Sequence, residues 1–156
     1  MLSKRLDNVA PSVTVGISSK VKEMRANGID VISLSIGEPD FNIPEKAKEY
    51  GKKSLDDNKT KYDFPAGIPE LRQEICKKLK RENHIDYTPD QIVLSSGAKN
   101  SITNVLLVTT DPGSEVLLPL PYWVSYSEMV KVVNAVPVEV KTSKENNFKL
   151  TKDDLL

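Results

Sequence analysis

The stretch Gln91-Ile92-Val93-Leu94-Ser95-Ser96-Gly97-Ala98-Lys99-Asn100-Ser101-Ile102-Thr103-Asn104-Val105-Leu106-Leu107-Val108 decides the fold. A short apolar run, 92–94, is broken by small residues at 95–98. A helical pattern follows over 99–108, with Ile102, Val105, Leu106 and Thr109 on the expected inner face. The same rhythm continues downstream. Asp111-Pro112-Gly113 is a sharp turn, and Val116-Leu117-Leu118 reads as a strand. Pro119-Leu120-Pro121 leads to a helix from about Tyr122 to Val133, and Val136-Pro137-Val138-Glu139-Val140 is another strand. Strand, helix, strand, helix, strand predicts parallel strands joined by right-handed crossovers, an α/β layer.

Upstream, the pattern is mostly helix and loop. Residues 12–27 predict a helix, with Val15, Ile17, Val21 and Met24 roughly on one face and Gly28 as its C-terminal cap. Val31-Ile32-Ser33-Leu34-Ser35-Ile36 reads as a strand ending at Gly37-Glu38-Pro39-Asp40-Phe41. Pro44 opens a charged helix to about Leu55. Residues 59–67 read as a loop. Pro69 then starts a helix with Ile68, Leu71, Ile75 and Leu79 as its buried stripe, fading at Glu82-Asn83. The expected organisation is an arm, helix and first strand over 1–44, a helical segment over 45–87, and the start of an incomplete α/β domain over 88–156. In that domain a mixed, mostly parallel sheet carries helices on both faces. Thr151 and Asp154 form a helix N-cap signal close to Leu156, which leads us to expect a piece of a longer chain.

Composition narrows the function classes. The chain has 156 residues, and 38% hydrophobic with 28% charged residues is ordinary for a globular protein. Lys+Arg and Asp+Glu are both 22, so no net basic field favours nucleic acid or anionic lipid. The longest apolar runs, such as 105–108, are too short to span a bilayer. One cysteine, Cys76, makes no internal disulfide and no zinc site alone, and a cytoplasmic setting is expected.

Few residues carry chemistry on their own. The Ser95-Ser96-Gly97-Ala98-Lys99 turn joins a strand to a helix, where free N–H groups and the helix dipole favour an anion such as phosphate. A tight connection with no ligand is the plainer alternative. The Walker and dinucleotide glycine patterns are both absent. Lys99 reads either as an anion partner or as a solvated first-turn lysine. Trp123, the only tryptophan, follows a strand at the sheet's C-terminal edge, where ligands sit in open α/β folds. It reads either as a stacking platform or as a packed aromatic. Tyr62 reads as an anion donor or a surface tyrosine. His84 is a solvated loop histidine, Cys76 a small core residue, and the run 77–81 a wet helix face. No Ser/His/Asp set and no metal-ligand set is present.

Five segments together resemble the fold-type I pyridoxal-phosphate (PLP) aminotransferases of the aspartate aminotransferase group. They are Ser35-Ile36-Gly37-Glu38-Pro39-Asp40-Phe41, Lys61-Tyr62 through Glu70-Leu71-Arg72, Ser96-Gly97-Ala98-Lys99, Asp111-Pro112-Gly113-Ser114-Glu115-Val116 and Pro121-Tyr122-Trp123-Val124-Ser125-Tyr126. They occur in family order and cover nearly the whole chain. The resemblance implies that Gly97, Ala98 and Lys99 cradle the PLP phosphate and that Trp123 stacks on the pyridine ring. Gly37, together with Trp123, would face the substrate. Tyr62 would reach the cofactor phosphate of a homodimer partner, so that the active site is shared. Residues from Met1 to about Ser12 would form an arm over that partner.

The family's Schiff-base lysine, pyridinium-pairing aspartate and carboxylate-clamping arginine lie later in its sequences. No residue here matches them, so no catalytic residue is expected in this chain. Some relatives carry a basic residue just before the Pro-Ser near the N-terminus, where this chain has Ala10. The expectation is PLP-dependent transamination between an amino acid such as aspartate and a 2-oxo acid such as 2-oxoglutarate, performed by a longer protein, with this piece inactive alone. The alternatives are a carbon–sulfur lyase, an aminotransferase for aromatic or small neutral amino acids, and a non-catalytic binding or dimerisation module.

Overall fold

The computed structural model describes residues 3–155. Met1, Leu2 and Leu156, at the ends of the expected arm and last helix, lie outside the described residues. The chain divides into two units: residues up to Ser33 together with those from Ser96 on, and Leu34–Ser95 between them.

In the first unit, helix α1 spans Val13–Ala26. Ser12 starts it, its side chain accepting a hydrogen bond from the Val15 N–H. Gly28, at φ +77°, ends it. There the Gly28 N–H reaches the Arg25 carbonyl and the Ile29 N–H reaches Met24, a paired closure of the last turn. Both ends match the sequence expectation, and Val15 and Ile17 are exposed.

The second unit holds helix α2, Glu45–Asp56, and helix α3, Pro69–Lys78. A single π-helical turn, Leu79–Asn83, prolongs α3. A 3-10 turn at Pro89–Gln91 is closed by a reciprocal Thr88–Gln91 cap. Ile75, Cys76 and Leu79 are half-buried, whereas Ile68 and Leu71 stay exposed. The expected strands at 31–36 and 92–94 do not form. A strand exists only where a neighbour completes its ladder, and among the described residues the only paired strands lie elsewhere, in the first unit. The Leu94 N–H instead donates to the Ala66 carbonyl at 2.9 Å. This brings the 92–94 run against the loop, and Gly67 is the residue that permits it. At φ +101°, its missing side chain would overlap Leu94, coming within 2.8 Å of the Leu94 Cβ.

The core lies in the first unit. Helix α4, Ala98–Thr109, leads to strand β1, Glu115–Pro119. Helix α5, Ser125–Val132, returns the chain to strand β2, Val136–Val140. The two strands pair in parallel, Glu115 opposite Val136 through Pro119 opposite Val140, as the alternating pattern predicts. The chain is thus α/β, with its sheet limited to this pair among the described residues. Met129, Val130 and Val133 recur at helical spacing and are buried, together with Leu118 and Ala135. Leu106 and Val116 pack against this cluster, while Val105 and Thr109 of α4 are exposed. Asn134, at φ +61°, turns the chain out of α5 so that the Ala135 N–H returns to the Val130 carbonyl. Helix α5 starts three residues later than expected, because Tyr122 and Trp123 are held in the preceding turn. The Thr151 N–H and hydroxyl both reach Asp154 Oδ2 at 2.7 Å, so the predicted cap forms and opens a 3-10 turn at Asp153–Leu155.

The segment before α1 is tied to this core at one carboxylate. Glu128 Oε2 accepts the Ala10 N–H at 2.7 Å, and Oε1 accepts Lys131 Nζ at 2.8 Å. The Lys131 bond, then that of Ala10, holds the Glu128 carboxyl below the usual carboxylate range. A carboxyl depressed on folding stabilises the fold above its unfolded pKa of about 4.3, and that contribution disappears as pH falls through the folded value. In urea titrations of the complete protein, Glu128→Gln is expected to cost about 0.5–1 kcal/mol at pH 7. The variant and wild-type stabilities should converge only as pH falls below the ordinary carboxylate range, through the depressed folded value. An equal gap at neutral and acid pH would contradict the linkage.

Candidate functional site

Ser96 and Gly97 form a bend that opens directly into α4. Gly97 sits at φ +86° and ψ 166°, a backbone region that side-chain-bearing residues avoid. A Cβ built there meets nothing within 4 Å, so the space before the bend is open. No side chain caps the helix, which leaves its first amides directed outward at the positive end of the helix dipole. Ala98 and Lys99, the first two helical residues, are exposed, and a small side chain at 98 keeps the approach clear.

Trp123 is brought to the same place from β1. Lys99 Nζ lies over its ring, 4.5 Å from the centroid. A lysine at a helix N-terminus opposes the dipole; this cation–π contact, worth about 0.5–1 kcal/mol at an exposed site, accounts for its orientation. Tyr126 meets the indole edge-to-face, with ring centroids 5.6 Å apart and planes at 88°. It remains 43% exposed, so the ring is available to a further planar group. A cavity of about 310 Å³ is bordered by Ala10, Ser12, Lys99, Val124, Ser125 and Glu128, without Trp123 in its lining. Gly97, Ala98, Lys99 and Trp123 therefore form one constellation: unsatisfied amides, an ammonium group and an aromatic face.

Tyr62 and Gly37 belong to the second unit. Tyr62 is fully exposed on the 59–67 loop, beside a cavity of about 570 Å³ that Asn58, Lys59, Lys61 and Glu70 also border. Gly37 follows the extended 31–36 run. Among the described residues, its chain neighbours aside, nothing lies within 4 Å of a Cβ built there, so they give no steric reason for glycine. Cys76 is half-buried and free. His84 is exposed at φ +58°, closing the turn after α3. Among the described residues, no three His, Cys, Asp or Glu side chains cluster as a metal site. Likewise, none of their helices is long and apolar enough to cross a membrane.

Tyr122 and Glu139 were not singled out from the sequence. The Tyr122 hydroxyl donates to Glu139 Oε1 at 2.6 Å. The partners are 17 residues apart, and only the β1–β2 register brings them together.

The chain belongs to the aminotransferase class I and II family, whose family model matches residues 29–156. It is 45% identical over 154 residues to the aspartate/prephenate aminotransferase of Cereibacter sphaeroides, covering 99% of this chain and 38% of that protein. It is 42% identical over 155 residues to the aspartate aminotransferase of Bacillus sp. strain YM-2, covering 99% and 40%. Among solved structures, the aspartate aminotransferase of Thermus thermophilus with maleate matches at a TM-score of 0.93 and 42% identity, over 99% of this chain and 41% of that one. The chain spans 38–41% of the length of these relatives.

The Gly97 bend makes a direct prediction. Gly97→Ala places a Cβ in free space but forces alanine into a glycine-only conformation, a strain of about 1–3 kcal/mol. Urea unfolding of the complete protein should show a loss of that size. An unchanged midpoint would mean that the bend is not held as described.

Proposed function

We propose that this chain supplies part of the cofactor pocket of a PLP-dependent aminotransferase. That enzyme would exchange the amino group of an amino acid such as aspartate for the oxo group of a 2-oxo acid such as 2-oxoglutarate. The observation that carries the reading is the juxtaposition of the uncapped α4 amides with the half-exposed Trp123 indole, bridged by Lys99. A phosphate attached to a planar heterocycle needs those two features side by side. The residues present fit the group: the approach to Gly97 is open, and the donors there have no competing side-chain cap.

In this reading the backbone N–H groups at Gly97, Ala98 and Lys99 hold the phosphate, and the Lys99 ammonium neutralises part of its charge. Trp123 fixes the plane of the ring. Bound there, PLP supplies the electron sink that lets the substrate α-proton leave. Gly37 offers its backbone to the substrate carboxylate, and Tyr62 reaches the phosphate in the partner subunit of a homodimer. These two roles rest on the family resemblance. Aspartate as amino donor is supported by the names of the relatives, and the maleate held by the Thermus enzyme is a dicarboxylate of matching length. No lysine in the chain matches the family's Schiff-base position, so the 156 residues alone are expected to be inactive. A cytoplasmic location belongs to the same reading.

Three measurements test this. The complete protein should bind PLP and convert aspartate and 2-oxoglutarate to oxaloacetate and glutamate, with no turnover by residues 1–156 alone. Trp123→Ala should weaken PLP binding about tenfold, the loss expected for one aromatic stacking contact. Stoichiometric attachment of PLP, trapped by borohydride, at one particular lysine of the 156-residue chain, above the scatter over surface amines, would overturn the assignment of the missing lysine.

A further inference from the structure

The Trp123 indole can act as a platform only if the turn that carries it is held still. Three bonds tie that turn to the end of β2. The Leu120 N–H donates to the Val140 carbonyl at 2.8 Å. The Thr142 hydroxyl donates to the Leu120 carbonyl in a short bond. The third is the 2.6 Å bond from the Tyr122 hydroxyl to Glu139, and it alone involves a side chain adjacent to Trp123. We infer that Glu139, acting through Tyr122, is a positioning residue that sets the orientation of Trp123 toward the Gly97–Lys99 bend. The role rests on the PLP reading above and extends it to two residues that touch neither the phosphate nor the ring.

The geometry separates this role from simple stabilisation. Glu139 is exposed and Tyr122 only half-buried, and loss of such a surface bond costs a fold little. What it would release is the direction of the next side chain. Tyr126 braces the indole from the α5 side, and its N–H holds the Trp123 carbonyl at 2.9 Å. Tyr122 provides the matching restraint from the sheet side. The bond to Glu139, then burial, raises the Tyr122 pKa above the usual phenol value. The hydroxyl therefore remains a proton donor through neutral pH.

The test compares Tyr122→Phe, Glu139→Ala and Glu139→Gln in the complete protein. Phenylalanine keeps the ring and its packing but removes the hydroxyl, and with it both the bond to Glu139 and the one with Ser127; Glu139→Ala removes the first alone, and glutamine keeps an acceptor oxygen. Tyr122→Phe and Glu139→Ala are expected to raise the PLP dissociation constant about threefold to tenfold, the range for one hydrogen bond. They should also weaken the circular dichroism induced in bound PLP, with Tm within about 2 °C of wild type. Glu139→Gln should stay near wild type on all three. In a background where any other tryptophan is phenylalanine, the emission anisotropy of Trp123 without cofactor should fall in the first two variants only. Unchanged anisotropy, or a loss of Tm that glutamine does not rescue, overturns the positioning role. A wild-type protein that fails to bind PLP overturns the proposed function, and the anisotropy then still decides whether Glu139 holds the indole.

Discussion

The parallel ladder between β1 and β2, sealed by α5, is the constraint on which the first unit depends. Parallel strands cannot be joined by a tight hairpin, so the chain must cross back over the sheet, and α5 is that crossover. Met129, Val130 and Val133 give the helix one apolar face, and Ala135 lets the chain drop into β2 without a bulky side chain in the way. Once this register exists, the ends of β1 and β2 lie beside one another. The chain leaving β1 then has to turn at the C-terminal edge, which places Trp123 there. The site is a consequence of the ladder more than of any feature in the turn itself.

Electrostatics then selects what this edge can hold. The N-terminus of α4 has no cap, and the one charged side chain in its first turn is a cation over an indole. Both features disfavour a cation as ligand and favour an anion. The nearby carboxylate, Glu128, is already occupied by Lys131 and the Ala10 N–H. It therefore fastens the chain before α1 and adds little negative field to the bend.

Much of this was legible in residues whose signals are local. Ser12 and Gly28 mark both ends of α1, Pro69 marks the start of α3, and the alternation through 116–140 gives the parallel pair. The runs at 31–36 and 92–94 were misread because an apolar run shows only that a segment can join a sheet; the neighbour that completes the ladder is not written in it. For the same reason Val105 and Thr109, expected on the inner face of α4, are exposed among the described residues. At the site, Gly97 and Trp123 were each identifiable as candidates from residue type and position. The contact of Lys99 with the indole and the bond from Tyr122 to Glu139 were not, since each joins segments that only the tertiary fold brings together.

The wiring of the core has a consequence for how the molecule is made. The ladder, its crossover helix and the tethers from Leu120 and Tyr122 to β2 all fall within residues 115–140. The paired residues are 21 positions apart, so closing this loop costs less entropy than contacts joining the chain's ends would. On a translating ribosome this segment can condense as soon as it emerges, with the indole's seat assembled at the same moment. Biosynthesis would thus lay down one wall of the candidate site as an early nucleus, onto which the distant parts of the polypeptide later fold.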